Sequence, residues 1–236
     1  MGVNINSVYQ KVLALLNKEQ RGYLTPQEFN LLADRAQNEI YEAYFHKARN
    51  SNAKLKDDDT HTDTLEMLEA KLAPFLKSET TTSIASGVLA LPTDLYKLDI
   101  VKAGTNLATE VNKKEEHYIT SLGETGSVLY PKTTRPIFTR IAPTKIKIIP
   151  SPNDGSSCTV NYYKKPTAPN WTYVVLQERA LCNSGASDAQ DFELLEVEEE
   201  PLVSKILMLS GVITKQQDIG QVGANAIQMT NQEQNS

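Results

Sequence analysis

Leu65-Glu66-Met67-Leu68-Glu69-Ala70-Lys71-Leu72-Ala73-Pro74-Phe75 is followed nine residues later by Ile84-Ala85-Ser86-Gly87-Val88-Leu89-Ala90-Leu91. The first string places Leu65, Leu68, Leu72 and Phe75 on one helical face and ends near Pro74. The second is a short apolar run closed by the turn signal Pro92-Thr93-Asp94. The apolar period changes between them. The chain therefore reads as helices before residue 78 and as strands after it.

Working back towards the amino terminus, Ile5, Val8, Tyr9, Val12, Leu13 and Leu16 share a helical face, with Gly22 placed as a stop signal. Thr25-Pro26-Gln27-Glu28 then reads as a capping box, with Thr25 as N-cap, Pro26 in the first position and Glu28 reaching back. Phe29, Leu32, Ala33, Ala36, Ile40, Ala43 and Tyr44 extend that second helix. A polar stretch from Asn50 to Thr64 separates it from a third.

Working forward, Tyr96–Ala103, Tyr118-Ile119, Ile137–Ala142, Lys145–Ile149 and Thr159–Tyr163 are strand candidates. The turn string Pro150-Ser151-Pro152-Asn153-Asp154-Gly155 predicts a hairpin between the last two. Residues 179–191 read as a surface loop. A helix is expected from Glu198-Glu199-Glu200-Pro201, buried through Leu202, Ile206, Leu209 and Ile213, with acids and an early proline at its start.

The expected fold is α+β: an N-terminal antiparallel helical bundle (1–78) with an inserted small antiparallel β domain (79–192). A closing C-terminal helix (193–215) packs on the helical block, and an extended helical tail (216–236) follows. Nine of the last 21 residues are Gln or Asn, yet Ile219, Val222, Ala226 and Met229 keep helical spacing.

The composition excludes more than it assigns. The chain has 236 residues, 40% apolar and 22% charged, with a net charge of −5. That balance supports a core and argues against a protein that coats nucleic acid. No stretch is a membrane span, and Met1–Asn6 reads as neither a secretory signal nor a myristoylation motif. Cys158 and Cys182 are read as reduced thiols, too few for a disulfide framework. Asn170-Trp171-Thr172 matches a glycosylation acceptor that the missing export signal discounts.

Residues 17–28 resemble a calcium loop, but Arg21 stands where an oxygen ligand belongs, so a helix-to-helix turn is the better reading. Asp57-Asp58-Asp59-Thr60-His61-Thr62-Asp63 has no second cluster to complete a metal site. His46 and His117 lack triad spacing, and no phosphate-binding loop is found. Lys113-Lys114 and Lys164-Lys165 are short basic pairs without an aromatic platform. No catalytic residue, cofactor or metal is expected.

Four blocks of the sequence carry a resemblance. Val8–Leu15, Asn17–Asn30 and Ala36–Ile40 look like the amino-terminal block of virion ring proteins of crAss-like phages. Leu91-Pro92-Thr93-Asp94-Leu95-Tyr96-Lys97-Leu98 is similar to the strand entry of phage head-to-tail adaptors, and Asn161-Tyr162-Tyr163-Lys164-Lys165-Pro166 resembles a strand ending found there. Asp191–Leu194 with Glu198-Glu199, Leu202-Val203 and Lys205–Leu207 resembles the helix that closes their β domain.

The resemblance implies a non-enzymatic structural protein of a short-tailed phage virion, a connector in the tail or neck assembled in the host cytoplasm. It would form a ring of twelve copies of itself, join the portal protein to other tail ring or tail barrel proteins, and pass duplex DNA without specific binding. It implies portal docking through Ile219, Val222, Ala226 and Met229 in the tail. Glu196, Glu198, Glu199 and Glu200 are expected to border the channel, although acids at a helix N-terminus explain the last three equally well. Another intracellular scaffold or binding module, a different ring of the tail barrel, and a hydrolase with an unseen site are the alternatives.

Overall fold

The computed structural model describes residues 2–18, 24–54, 60–82, 84–121, 130–151, 157–177, 179–213 and 228. The chain divides into two compact units, residues 75–165 and the segments on either side of them, Met1–Pro74 and the chain from Pro166 onward.

The flanking unit holds α1 (Ile5–Lys18), α2 (Pro26–Lys54) and α3 (Thr60–Leu72). The Thr25 box starts α2 as the sequence demands. The Thr25 N–H and hydroxyl donate to Glu28 Oε2 at 2.9 and 2.7 Å, and the Glu28 N–H returns to Thr25 Oγ1 at 3.3 Å. Val8, Val12, Phe29, Ala33 and Ala36 are fully buried, so the stripes read from the sequence are the packed faces. The later helix, Glu199–Ile213, packs against α1 and α2 through Leu202, Val203 and Ile206.

Residues 166–195 join this unit largely through amides. Gln37, wholly buried on α2, donates to the Thr167 carbonyl at 2.8 Å and accepts from the Glu193 N–H at 3.1 Å. The Asn30 side chain does the same for Trp171, accepting from its N–H at 2.9 Å and donating to its carbonyl at 3.3 Å. These side chains replace a missing strand neighbour for a buried backbone, which would otherwise lose its hydrogen bonds. Trp171 stacks on Tyr9 at 4.0 Å between centroids, and its indole N–H donates to Asn6 at 3.1 Å. At the amino end, the Val3 N–H donates to the Leu194 carbonyl and the Phe192 N–H to the Val3 carbonyl.

The contiguous unit, residues 75–165, is a sheet. β1 (Leu76–Thr81), β2 (Ile84–Ala85), β3 (Val88–Ala90), β4 (Leu95–Ala103), β5 (Asn106–Glu110), β6 (Ile137–Ala142), β7 (Lys145–Ile149) and β8 (Cys158–Lys164) pair in the order β1-β8-β4-β5-β6-β7-β3-β2. One core collects Ile84, Leu89, Leu98, Val101, Phe138, Ile146, Ile148, Val160 and Tyr162, side chains from strands along the whole sheet. The sheet therefore curls around its own inner face and leaves β1 and β2 as edges. Ser86 and Gly87 both have positive φ, 51° and 74°, which is what a tight β2–β3 hairpin requires.

This corrects the expected architecture. The protein is α+β, but it is not a helical bundle with a small antiparallel insertion: an eight-stranded mixed sheet dominates it, with five helices among the described residues. The sheet is mixed because β5 and β6 run parallel. Parallel neighbours need a crossover, and α4 (Lys113–Ser121) lies in it. Tyr118-Ile119, expected as strand, belongs to that helix. Its start is a second capping box, with Glu115 and Asn112 exchanging side-chain-to-backbone bonds at 2.9 and 3.1 Å. The hairpin expected across Pro150–Gly155 does not form either. Both edges of β7 are taken by β3 and β6, and β8 fills the gap between β1 and β4.

Candidate assembly surface

Beyond Trp171 the chain turns outward into a hairpin, β9 (Tyr173–Leu176) and β10 (Arg179–Cys182). Its base is held by the Tyr173 ring stacked on Trp171 at 5.6 Å and by the Asn183 N–H donating to the Thr172 carbonyl at 2.8 Å. The two strands pair only with each other among the described residues. Register places Val174 opposite Leu181 and Leu176 opposite Arg179, so these four share a face. Val174, Val175, Leu176 and Leu181 are all about half exposed or more, at 47%, 62%, 57% and 50%. A two-stranded ribbon is marginal by itself in water, and large apolar side chains gathered on one mark a contact surface.

The surface loop expected over 179–191 begins instead as strand β10, and β9 has no counterpart among the expected strands. The signal was present: Tyr173-Val174-Val175-Leu176 and Ala180-Leu181-Cys182 are strand-forming runs separated by Gln177-Glu178-Arg179.

On the sheet unit, the face opposite the core is exposed along β1-β8-β4-β5. Pairing aligns Leu76 with Tyr163 and Lys97, Ser78 with Asn161 and Ile100, and Thr80 with Thr159, Lys102 and Leu107. Leu76 is 46% and Leu107 59% exposed. The face is thus apolar at both margins with lysines between.

Charge is divided between the two units. Residues 75–165 carry 12 Lys and Arg against 8 Asp and Glu, a net +4. The remaining residues carry 12 against 21, a net −9.

The four acids expected along a channel do not form one exposed face. Glu198 is a correction: it is 4% exposed and accepts from Lys71 Nζ at 2.8 Å. Lys71 also lies 5.7 Å from the centre of the Tyr44 ring. Burial first, and then the Glu198 carboxylate, push the Tyr44 hydroxyl well above the ordinary phenol range. Burial and the charge on Lys71 hold the Lys47 ammonium below the usual lysine value. Glu199 takes the Ser7 hydroxyl and Lys11 (3.1 Å), which hold its carboxyl low. Glu200, exposed, takes Lys11 at 2.6 Å. These acids tie the start of α5 (Glu199–Ile213) to α1 and α3. Glu196 alone stands exposed in the preceding turn, next to Val197, which is 78% exposed.

Ile219, Val222, Ala226 and Met229 lie outside the described residues, as do Asp57-Asp58-Asp59 and the centre of the loop that resembles a calcium site. The Glu28 carboxylate of that loop is engaged by Thr25. His46 and His117 are exposed on α2 and α4. Cys158 is buried, which pushes its thiol up, and Cys182 is exposed on the hairpin. Among the described residues no three or more His, Cys, Asp or Glu gather into a metal-binding group, and no helix is long and apolar enough to cross a membrane. Neither a protein-family model nor a curated protein matches the sequence.

Proposed function

We propose that this chain is a non-enzymatic virion structural protein, a ring-forming head-to-tail connector of a short-tailed phage that joins the portal to the tail and encloses a DNA channel. The observation that carries the reading is the β9–β10 hairpin, whose exposed apolar side chains find no cover within the described residues. A protein whose work is to hold neighbours needs such surfaces more than it needs a pocket. The strings that resemble adaptors support it as well. Asp94, from the Leu-Pro-Thr-Asp strand entry, accepts from Lys77 at 2.7 Å and from the Tyr162 hydroxyl at 2.9 Å. Its backbone carbonyl takes the Lys165 N–H at 2.8 Å, so the two quoted strand motifs meet at Asp94.

Native mass spectrometry and electron microscopy of the purified protein test the reading. Closed cyclic assemblies that cap isolated portal rings are expected, with portal binding lost when residues 216–236 are removed. A protein that stays monomeric at high concentration and ignores portal rings refutes it.

A further inference from the structure

We infer that one end of the sheet unit binds the phosphate backbone of duplex DNA, without reading its sequence, through Lys102, Lys132 and Arg135. The inference rests on the connector reading above and deepens it, by naming the groups on each copy that touch the passing DNA.

Register brings the three cations to the same end of the sheet. Lys102 pairs with Leu107, one residue before the tight β4–β5 turn, and Ala103 pairs with Asn106. The Asn106 side-chain amide donates to the Thr133 carbonyl at 3.0 Å. That carbonyl sits in the turn closed by Lys132 and Arg135, where the Arg135 N–H donates to the Lys132 carbonyl at 2.9 Å. β8 begins beside the same turn of β4, with the Gly104 N–H on the Ser157 carbonyl at 2.9 Å. In the cross-strand row of Lys102, the Thr80 and Thr159 hydroxyls share a bond of 3.0 Å. Lys102, Lys132 and Arg135 are all exposed.

Charge at this surface itself chooses the ligand. Residues 80–82, 102–107, 131–136 and 157–159 hold these three cations and no acid. Glu79 pairs with Val160 and so takes the core-side face of β1, while Asp99 lies at the β4 bulge, three residues back from Lys102. Glu124 and Asp154, in adjoining stretches, lie outside the described residues, and counting both leaves the end net positive. The chain crosses to the unit of net −9 at the opposite end, where β1 begins and β8 finishes. Along β1 the two ends are about 17 Å apart.

The accompanying side chains narrow the class. Lysine and arginine among threonine, serine and asparagine are the groups that hold phosphates. No aromatic residue occurs in these four segments, so they offer no platform for the unstacked bases of a single strand. A protein interface or a bilayer would need a larger apolar centre than Leu107, the one large apolar side chain exposed there. Three phosphate contacts per copy make a weak bond that lets DNA slide, and a ring repeats it.

Anisotropy of a labelled mixed-sequence duplex, titrated with the full-length protein, tests this. With three phosphates engaged per bound copy, log affinity should fall against log salt with a slope of about −2.7, a loss of about 40-fold between roughly 50 and 200 mM. Lys132→Gln/Arg135→Gln should bring the slope to about −0.9 and weaken binding at low salt at least tenfold. Lys102→Gln, on a separate segment, should take away about one unit of slope. Lys164→Gln/Lys165→Gln removes the same charge as the first pair from the opposite end and should leave binding unchanged. Unchanged hydrogen exchange at the β4 and β8 amides should show that the sheet stays folded in each variant.

No binding at low salt, a slope near zero, or equal weakening by Lys164→Gln/Lys165→Gln would overturn the inference. So would polyglutamate or phosphatidylglycerol vesicles that compete as well as unlabelled duplex, which would assign this end to an acidic protein or a bilayer. The two readings fail separately. Rings that cap portals in a protein that ignores duplex DNA discard the phosphate contact and keep the connector. Duplex binding with the expected slope in a protein that stays monomeric and ignores portals keeps the contact and discards the connector.

Discussion

Replacing Lys71 by Met removes one half of an ion pair and leaves the other half enclosed. The Lys71 side chain is 17% exposed and that of Glu198 6%, with 2.8 Å between their charged atoms. Met keeps the aliphatic stem that packs near Tyr44 and deletes only the charge. The Glu198 carboxylate then keeps its burial and loses its close cation. Breaking a buried pair in this way costs about 3–5 kcal/mol, and the partial exposure of Lys71 puts the expectation near the lower end, about 3 kcal/mol. Glu198→Gln should cost at least as much, because it leaves Lys71 beside Lys47, whose ammonium is already disfavoured by burial and by Lys71.

The double variant Lys71→Met/Glu198→Gln should recover most of that loss. The readout is specific, because Trp171 is the only tryptophan and lies buried in the flanking unit. Its fluorescence during urea titration therefore follows that unit whatever the sheet does. With a slope of about 2 kcal/mol per M, the single variants should lower the midpoint by more than ~1 M, with the slope unchanged. Single variants within ~0.5 kcal/mol of wild type, or a double variant no better than the worse single, would show that water reaches the pair and refute the reasoning.

Thr25→Ala should destabilise the flanking unit by about 1 kcal/mol, the usual cost of a lost N-cap, in the same fluorescence titration. Gly2→Ala should weaken it too, because a Cβ there would lie 2.2 Å from the Phe192 carbonyl oxygen, and hydrogen exchange should quicken at the Val3 and Phe192 amides. In the sheet unit, burial and the bond to Asp94 raise the Tyr162 hydroxyl to about 12. The unfolded chain ionises this group near pH 10, so its contribution is complete below that value and is lost as pH rises towards about 12. Tyr162→Phe should flatten that part of the alkaline stability profile, measured by exchange of the β4 and β8 amides, and an unchanged profile would contradict the assignment.

The elements that could be read beforehand are those whose burial leaves a period in the chain. Lys145–Ile149 was legible to the residue because Ile146 and Ile148 enter the core while Lys145 and Lys147 stay outside it, and Ile137–Ala142 because its leading apolar pair, Ile137 and Phe138, is buried. The cap at Thr25 was legible because its bonds are local. β1 and β5 were not, since Leu-Lys-Ser-Glu-Thr-Thr and Asn-Leu-Ala-Thr-Glu hold their places mainly by backbone pairing and expose most of their side chains. Strand order was beyond reach for a related reason. Pro150–Gly155 has the composition of a hairpin turn, yet the partners of β7 and β8 are set by edges that only the assembled sheet defines. Glu198 carried a misleading signal: three consecutive acids at a helix start suggest solvent and dipole, and only the approach of Lys71 from α3 places one of them inside.

The interrupted layout of the flanking unit sets an order of events during synthesis. Residues 75–165 are contiguous and can fold as soon as they clear the ribosome, whereas α1 waits for α5, whose first residue comes 194 positions after Ile5. At roughly 5–20 residues per second that wait lasts about 10–40 s. Until residues 167–193 are made, Tyr9 lacks the indole that will pack on it and Gln37 lacks its two backbone partners. The nascent chain thus carries a finished sheet and an unfinished, sticky helical pair, so the demand for chaperone shelter falls on the first 74 residues. The flanking unit is complete only when its last described helix closes over its first.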